Sequence, residues 1–174
     1  GGSGFLGSHL ADQLTEIGHK VFIFDKNTSK YLNPNQEMVT GTLDDENKLK
    51  NLIKKVSIIY HFAADAELNF TMQQPLKTLE NNLLGTARIL EIVKKSKNIE
   101  QFIFASTVYV SSNKGSFYRV TKHACEMLIE EYHRSYNINY TILRFGTIFG
   151  TRATGDNSVK RSLKQAYENK KIMV

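Results

Sequence analysis

Tryptophan is absent from the 174-residue sequence, and cysteine and proline are scarce. The one cysteine, Cys125, excludes an internal disulfide framework and a zinc site built from several cysteines. The presence of only 2 prolines argues against a collagen-like or disordered chain. No run of residues approaches the roughly 18 consecutive apolar residues of a membrane helix. We therefore expect a soluble protein in a reducing, cytoplasmic setting, without a membrane partner.

Acidic residues are fewer than basic ones, 17 against 23, which gives a net charge of +6. A basic chain raises the possibility of a nucleic-acid partner, so the position of the charges matters. Acidic residues come first in the helical segments and basic residues come last, as with Asp44 and Asp45 before Lys54 and Lys55. This order complements the helix dipole. We expect no nucleic-acid partner, and an RNA-associated homologue stays open as an alternative.

Short apolar runs alternate with longer amphipathic segments along the chain. The runs are rich in β-branched and aromatic residues, as in strands buried on both faces, and lie at 21–24, 38–39, 58–62, 102–105, 140–145 and 172–174. Helical patterns lie at 5–17, 44–55, 75–97, 117–136 and 157–169. This alternation predicts an α/β fold, a Rossmann-like doubly wound parallel sheet with helices on both faces.

A glycine loop opens the chain, with Gly1, Gly4 and Gly7 at G-x-x-G-x-x-G spacing before a helix. Glycines let the backbone turn tightly and approach a pyrophosphate at the helix N-terminus, although a strand-to-helix turn alone would also use them. Asp25 follows the strand at 21–24, where an acid accepts hydrogen bonds from adenosine ribose hydroxyls. This favours NAD over NADP, and the neighbouring Lys26 weakens the preference.

Tyr118 and Lys122 form a Y-x-x-x-K pair near the start of a helix. Spacing of four puts both side chains on one helical face, where an ammonium favours the phenolate and lowers the tyrosine pKa. A solvated surface pair is the plain alternative. Thr107 follows the strand at 102–105 and supplies a hydroxyl. Because ligands of open α/β sheets bind at the carboxyl ends of strands, we expect these groups and Asp25 to converge.

These motifs resemble those of the extended short-chain dehydrogenase/reductase superfamily, in its NAD-dependent nucleotide-sugar epimerase/dehydratase family. The resemblance runs through essentially the whole chain. The segments that carry it are Gly1–Leu10 (GGSGFLGSHL), His61–Ala64 (HFAA), Asn81–Thr86 (NNLLGT), Phe104–Thr107 (FAST), Tyr118–Lys122 and Arg144–Gly150 (RFGTIFG).

The resemblance implies roles for individual residues. Thr107, Tyr118 and Lys122 are expected to be catalytic, and Thr107, Tyr118 and Thr147 to contact the substrate. NAD is expected to be bound by Gly1, Gly4, Phe5, Leu6, Gly7, Asp25, Lys26, Leu43, Phe62, Ala63, Ala64, Asn82, Ala105, Ser106, Tyr118, Lys122 and Phe145. No metal is expected, because the histidines show no metal-ligand grouping.

The two residues after Thr107 bear on the reaction. Dehydratases of the family carry an Asp-Glu pair there and related decarboxylases keep the Glu, whereas this chain has Val108 and Tyr109, which cannot do carboxylate chemistry. The resemblance therefore implies a nucleotide-sugar 4-epimerase that works by hydride transfer through a keto-sugar intermediate. It also implies a nucleotide-diphosphate sugar as substrate and a homodimer. A reductase or dehydrogenase of nucleotide sugars or keto sugars, and a non-catalytic dinucleotide sensor, stay open.

Residues 1–174 are expected to form one NAD-binding Rossmann-like domain that is truncated at both ends. No strand precedes the glycine loop, and the sequence stops within the strand-like run 172–174. In a dinucleotide-binding fold the first strand is central and leads into this loop. We therefore expect the first strand to lie upstream and a substrate-binding portion to lie downstream, and we do not expect residues 1–174 alone to turn over.

Overall fold

A computed structural model describes residues 1–153 and 158–169. Helices alternate with strands along most of the chain. The strands are β1 (Val21–Asp25), β2 (Gln36–Thr40), β3 (Ile58–His61), β4 (Gln101–Thr107) and β5 (Tyr140–Phe145). The α-helices are α1 (Phe5–Glu16), α2 (Glu46–Ile53), α3 (Leu68–Gln73), α4 (Pro75–Thr78), α5 (Gly85–Val93), α6 (Ser116–Tyr136) and α7 (Ser158–Asn169). A π-helical turn (Leu79–Leu84) joins α4 to α5, and a 3₁₀ turn (Val108–Ser111) follows β4.

The strands pair in parallel, as the alternating pattern predicts. β1 pairs with β2, with Val21 opposite Gln36 and Asp25 opposite Thr40. β3 pairs with β4, and β5 lies on the other side of β4. Parallel strands need crossover connections. Helices supply these from β2 onward, whereas residues 26–35 join β1 to β2 without a helix. The predicted α/β class is therefore confirmed. Several of the predicted site residues lie at or just after the carboxyl ends of β1, β3 and β4.

The strands form two sheets, β1–β2 and β3–β4–β5. A cavity of about 450 Å³ lies between them, lined by β1, β3 and the helices α1 and α2. β1 and β3 do not pair with each other, and this divides the sheet.

The larger hydrophobic core lies between β3–β4 and the helices α2, α5 and α6. Its most deeply buried side chains include Leu90, Phe102, Phe104 and Ile129, each 0% exposed. These residues come from the apolar faces of amphipathic helices and from a strand covered on both sides, as their sequence pattern predicts. This core holds β4 and α6 together, and these two elements carry the predicted catalytic residues.

Two local features differ from the predicted elements. The helical pattern 75–97 is a continuous helical stretch that ends at Val93 and contains the π-helical turn. The short α3 was not expected; the Glu67 carboxylate caps it by accepting hydrogen bonds from the backbone N–H groups of Asn69 and Phe70. A capping acid stabilises a helix that is too short to show clear periodicity. The predicted strand 172–174 lies outside the described residues.

Phe145 begins a second compact unit, separate from the unit Gly1–Arg144. Within it, α7 is amphipathic, and the Lys160 ammonium donates a 2.6 Å hydrogen bond to the Ala153 carbonyl. In the ranges that the structure covers, no helix is both long and apolar enough to cross a membrane.

Candidate active site

The glycine loop packs tightly against the end of β1. The Gly1 nitrogen donates a 2.9 Å hydrogen bond to the Phe24 carbonyl, and the loop then turns into α1. A Cβ on Gly7 would lie 2.3 Å from the Gly1 carbonyl oxygen, and a Cβ on Gly1 would lie 2.3 Å from the Ala63 nitrogen. Neither contact is possible for a real side chain, so close backbone approach requires glycine at both positions.

The N-terminus of α1 carries no carboxylate. Its N-cap, Gly4, is exposed and provides no side-chain hydrogen bond, and no acidic residue lies in the first turn. A Cβ on Gly4 would meet only the Gly1 carbonyl oxygen, at 3.4 Å. The uncapped backbone N–H groups and the positive end of the helix dipole therefore face an open surface, which suits an anionic group such as a pyrophosphate.

Asp25 ends β1 and holds the glycine loop. Its carboxylate accepts hydrogen bonds from the backbone N–H groups of Ser3, at 3.1 Å, and Asn27, at 2.9 Å. A carboxylate has about four acceptor positions, so two of these bonds leave capacity for a ligand hydroxyl. Lys26, beside it, lies 3.9 Å from the Asp65 carboxylate with its side chain 62% exposed. The ribose contact predicted for Asp25 stays a prediction.

The loop after β3 is fixed by an asparagine. The Asn82 amide oxygen accepts a 2.7 Å hydrogen bond from the Asp65 N–H, and its NH₂ group donates to the Asp65 carbonyl at 3.0 Å and to the Thr121 hydroxyl at 3.1 Å. Thr121 in turn donates to the Tyr118 carbonyl. Asn82 is 2% exposed, so these protein contacts occupy its amide. It therefore joins the loop Phe62–Asp65 to α6 at Thr121, a role that the sequence did not reveal.

Three consecutive residues end β4, and all are at most 9% exposed. The Ala105 carbonyl accepts a 2.7 Å hydrogen bond from the Lys122 ammonium. The Ser106 hydroxyl donates to the Glu126 carboxylate at 2.5 Å. The Thr107 hydroxyl accepts a 3.3 Å hydrogen bond from the Tyr109 N–H, which starts the 3₁₀ turn. β4 is thus fastened to α6 at the point where its chain reaches the predicted catalytic threonine.

Tyr118 and Lys122 share one face of α6, as their spacing predicts. The Lys122 ammonium lies 5.8 Å from the centre of the Tyr118 ring and 4.4 Å from the centre of the Phe104 ring. An ammonium over an aromatic face is stabilised electrostatically, and this partly offsets its burial. Lys122 is 2% exposed, so the predicted alternative of a solvated surface pair is wrong.

Burial acts on both groups in opposite directions. It lowers the pKa of Lys122 to about 8, and it raises the pKa of Tyr118 to about 12, with a further contribution from Tyr109. The expected lowering of the tyrosine pKa by Lys122 is therefore wrong for this arrangement. The physical reason is that removing a phenol from water disfavours the phenolate, while the ammonium is bonded to Ala105 instead of to the phenol.

Raising the pH will stabilise the folded protein relative to a Lys122→Met variant. Lys122 has a pKa of about 8 in the folded protein and 10.5 as its ordinary value, so between these pH values the unfolded chain binds more protons and the free energy of unfolding rises with pH. We expect a relative gain on the order of 2 kcal/mol from about pH 7 to about pH 10. Urea unfolding at each pH measures it, with exposed Lys95→Met as control. A Lys122→Met curve parallel to the wild-type curve would contradict the assignment.

An ion pair that the motifs did not indicate joins β5 to α6. Arg144 on β5 donates two hydrogen bonds to the Glu126 carboxylate, from Nε at 3.0 Å and from Nη2 at 2.7 Å. Glu126 follows Lys122 by one helical turn and is 2% exposed. An acidic residue on the apolar side of an amphipathic helix was the one signal in the sequence that could have shown this pair.

The remaining predicted residues are placed as follows. The Leu43 side chain is 8% exposed and packs where a Cβ on Gly85 would lie 2.4 Å from its Cδ1, so it belongs to the core. Phe5 and Leu6 are partly buried in the first turn of α1. Phe145 and Thr147 belong to the second unit, where Thr147 is exposed. The cofactor and substrate contacts predicted for these residues stay predictions.

The site thus gathers groups from the carboxyl ends of three strands. The glycine loop abuts the loop after β3, where a Cβ on Gly1 would strike Ala63 and Phe62. The end of β4 abuts α6 through the two hydrogen bonds to Ala105 and Ser106. Two groups therefore lie at these strand ends: the uncapped start of α1 against the loop after β3, and a buried hydroxyl, a phenol and an ammonium where β4 meets α6. The second group can transfer a proton.

Comparison with protein families matches residues 1–174 to the NAD dependent epimerase/dehydratase family. A protein of Methanocaldococcus jannaschii named "Putative UDP-glucose 4-epimerase" is 32% identical over 170 residues, covering 87% of this chain and 55% of that protein. The UDP-N-acetyl-alpha-D-glucosaminuronate decarboxylase of Bacillus cytotoxicus is also 32% identical, covering 88% of this chain and 54% of its own length. The chain therefore spans about half the length of the curated relatives it matches.

Solved structures have the same fold. The UDP-N-acetylglucosamine 4-epimerase from Methanobrevibacter ruminantium superposes with a TM-score of 0.85 at 27% identity, over 98% of this chain and 61% of that one. The UDP-glucuronic acid 4-epimerase from Bacillus cereus, solved with UDP-glucuronic acid and NAD, has a TM-score of 0.84 at 26% identity, over 96% and 61%. The predicted Rossmann-like architecture is confirmed by these similarities.

Proposed function

Because the chain belongs to the NAD-dependent epimerase/dehydratase family, we propose that the full-length protein is an NAD-dependent nucleotide-sugar 4-epimerase. The observation that carries the proposal is the hydrogen bond from Lys122 to Ala105, which brings the Tyr118–Lys122 pair of α6 to the strand that ends at Thr107. The uncapped N-terminus of α1 offers a place for the pyrophosphate. Similar proteins named as epimerases of UDP-glucose, UDP-glucuronate and UDP-N-acetylglucosamine support a nucleotide-diphosphate sugar as substrate.

The residues present fit NAD. The glycine loop gives a surface without side chains, the start of α1 gives N–H groups and positive dipole to the pyrophosphate, and Asp25 has acceptor capacity for ribose hydroxyls. The loop after β3 would line the same site through Phe62, Ala63 and Ala64. When bound, NAD accepts a hydride from the sugar carbon and returns it. Asn82 acts indirectly in this proposal, since it holds the loop after β3 in place.

Tyr118 is the proposed base. Its phenolate oxygen would take the proton from the sugar hydroxyl that becomes the ketone, and Thr107 would hydrogen-bond the same oxygen. With a pKa of about 12 the phenol holds its proton at neutral pH, so the proposed base step requires this pKa to fall when NAD and the sugar bind. The Lys122 ammonium, 5.8 Å from the centre of the tyrosine ring, would stabilise the phenolate once it forms. The keto sugar would then rotate, so that the hydride returns to its opposite face.

Water elimination and decarboxylation are disfavoured by the residues after Thr107. In this family those reactions use carboxylates at this point, and the 3₁₀ turn instead presents Val108 and Tyr109. Relatives named as a dehydratase and a decarboxylase do match the chain, so overall similarity does not separate the reactions. The side chains of Val108 and Tyr109 do separate the reactions, because neither can act as a carboxylic acid or a carboxylate base.

Incubation of the full-length protein with UDP-, GDP- and dTDP-sugars tests the proposal. We expect one nucleotide sugar to convert to its 4-epimer with no change in mass, which nuclear magnetic resonance of the product identifies. An epimerase regenerates its NAD in each turnover, so no added cofactor should be consumed. Stoichiometric consumption of a reduced cofactor would show a reductase instead, and loss of water from the sugar would show a dehydratase.

We propose that the protein is a homodimer that pairs through α6 and the helical stretch α4–α5. Large apolar side chains are exposed on these adjoining elements, among them Leu76, Leu84, Val120 and Met127 at 45–74% exposure. Val120 and Met127 are two turns apart on one face of α6. An exposed apolar surface on packed helices is typical of a protein interface.

A Met127→Glu substitution will dissociate this dimer. The side chain is 61% exposed in the single chain, and a buried, unpaired carboxylate at an apolar interface is strongly unfavourable. We expect the dimer dissociation constant to rise by about a hundredfold or more, measured by sedimentation. Ile17→Glu, at a 72% exposed apolar residue outside this surface, is the matched control and should stay dimeric. A monomeric wild-type protein, or a dimeric Met127→Glu protein, would contradict the proposed interface.

We also propose a cytoplasmic location. The one cysteine, Cys125, is a free thiol and is fully buried, which agrees with a reducing compartment. The NAD and nucleotide sugars that the proposed reaction uses are intracellular metabolites.

A further inference from the structure

Glu126 is a carboxylate in the interior with three directed hydrogen bonds. Ser106 donates to it at 2.5 Å, and Arg144 donates twice, at 3.0 and 2.7 Å. The carboxylate is 2% exposed, and Ser106 is equally buried. A buried charge is costly unless it is paired, and this one connects three elements, α6, β4 and β5.

Two hydrogen bonds join α6 to consecutive residues of β4, and the two helix residues that make them are one turn apart. Lys122 bonds the carbonyl of Ala105, and Glu126, one helical turn later, bonds the side chain of Ser106, the next residue of the strand. Tyr118 lies one turn before Lys122 on the same face. A shift of the helix along the strand would break both bonds together, and would also move the phenol relative to Thr107.

We infer that Glu126 is a positioning residue for the proposed catalytic set: through Ser106 it fixes where α6 lies along β4, and so where Tyr118 lies relative to Thr107. This inference rests on the proposed function. Arg144 holds the carboxylate from the β5 side. Replacing a buried ion pair by hydrophobic residues is often neutral or stabilising, so the stability of the fold alone does not require the pair of Glu126 and Arg144. The three directional hydrogen bonds to Glu126 do select one position of the helix.

The charge state of Glu126 agrees with this role. Burial acts to raise the pKa of the carboxyl, but the hydrogen bonds from Arg144 and Ser106 outweigh it and hold the pKa below its ordinary value. The group is therefore ionised at neutral pH, and both its oxygens accept hydrogen bonds. Protonation or amidation would leave one position unable to accept from Arg144.

Three variants of the full-length protein test the inference: Ser106→Ala, Glu126→Gln and the double variant. We expect each single variant to lower kcat about tenfold at nearly unchanged KM for the nucleotide sugar, since misplacement of a catalytic group affects the chemical step. The low-pH limb of the kcat profile should also move, because a displaced Tyr118 is buried to a different extent and burial is the main cause of its raised pKa. The double variant should be no slower than the slower single variant, because both residues act through one contact.

Glu131→Gln is the matched control, since Glu131 lies on the same helix and pairs with Arg134 at 2.6 Å on the exposed surface. It should keep the wild-type kcat. All rates are measured where circular dichroism shows each variant folded, so that lost stability is not read as lost catalysis. If Glu126→Gln does not fold, the Ser106→Ala variant alone tests the inference. It removes only one hydroxyl and is therefore expected to fold.

Folded Ser106→Ala protein with wild-type kcat and pH profile overturns the inference. Losses that multiply in the double variant also overturn it, because Ser106 would then act by a separate contact. Tyr118→Phe, assayed in parallel, separates this result from the proposed function. If Tyr118→Phe keeps full turnover, the proposed site is wrong; if it is inactive while Ser106→Ala is normal, only the positioning role is wrong.

Discussion

Replacing Tyr118 by phenylalanine will lower kcat for nucleotide-sugar epimerisation by about a hundredfold to ten-thousandfold, the usual contribution of a positioned acid–base group. The substitution removes the phenolic oxygen and leaves the ring in its partly buried place on α6. Because the ring stays, we expect the stability to change little. Turnover of the full-length protein at saturating substrate, followed by nuclear magnetic resonance, gives kcat directly.

Tyr136→Phe is the control for this loss. Tyr136 ends the same helix, and its side chain is 52% exposed. It therefore loses the same hydroxyl at a position far along α6 from the proposed site, and it should keep the wild-type rate. Retention of full turnover by Tyr118→Phe would rule out Tyr118 as the base.

Replacing Gly7 by alanine will damage both folding and cofactor binding. The new Cβ would lie 2.3 Å from the Gly1 carbonyl oxygen and 2.7 Å from the Gly2 Cα, and both are backbone atoms that cannot rotate away. The loop must move off the start of α1. We expect the free energy of unfolding to fall by about 1–3 kcal/mol, as for other overpacked sites, and NAD affinity to fall at least about tenfold. Urea unfolding and calorimetric titration with NAD measure the two effects.

Gly146→Ala is the control for the stability measurement. A Cβ at Gly146 meets no atom within 4 Å, so the free energy of unfolding should change by less than about 0.5 kcal/mol. A Gly7→Ala protein that is as stable as the wild type, with unchanged NAD affinity, would show that the close approach at Gly7 has no importance for the site.

The sequence pattern predicted some elements to within one residue of their ends. β5 has the predicted bounds, and the predicted helix over 117–136 differs from α6 by one residue. The π-helical turn could not be seen, because its extra residue per turn barely disturbs an apolar pattern read at 3.6 residues per turn. Which strands pair with each other is a long-range property that no local run of residues encodes.

The candidate site was predictable where its residues belong to motifs and not where they depend on distant partners. Spacing alone placed Tyr118 and Lys122 on one face. The buried bonds of Glu126 to Ser106 and Arg144 join residues 18 to 20 positions apart in the sequence, so helical periodicity can mark Glu126 as an acid on an apolar face but does not indicate its partners. The direction of the Tyr118 pKa shift could not be predicted from the sequence either, because it depends on how much water the packed site excludes.

Asn82 has a genetic consequence. Its side chain accepts from one backbone N–H while it donates to a carbonyl and to a hydroxyl, so only a group with a donor and an acceptor side by side can replace it. Single-nucleotide changes of an asparagine codon give aspartate, histidine, isoleucine, lysine, serine, threonine or tyrosine, and none of these carries an amide. Aspartate, the nearest in shape, would set a negative charge against the Asp65 carbonyl. Point mutation therefore offers no conservative path away from asparagine at this position, and glutamine can be reached only through an intermediate that breaks the loop.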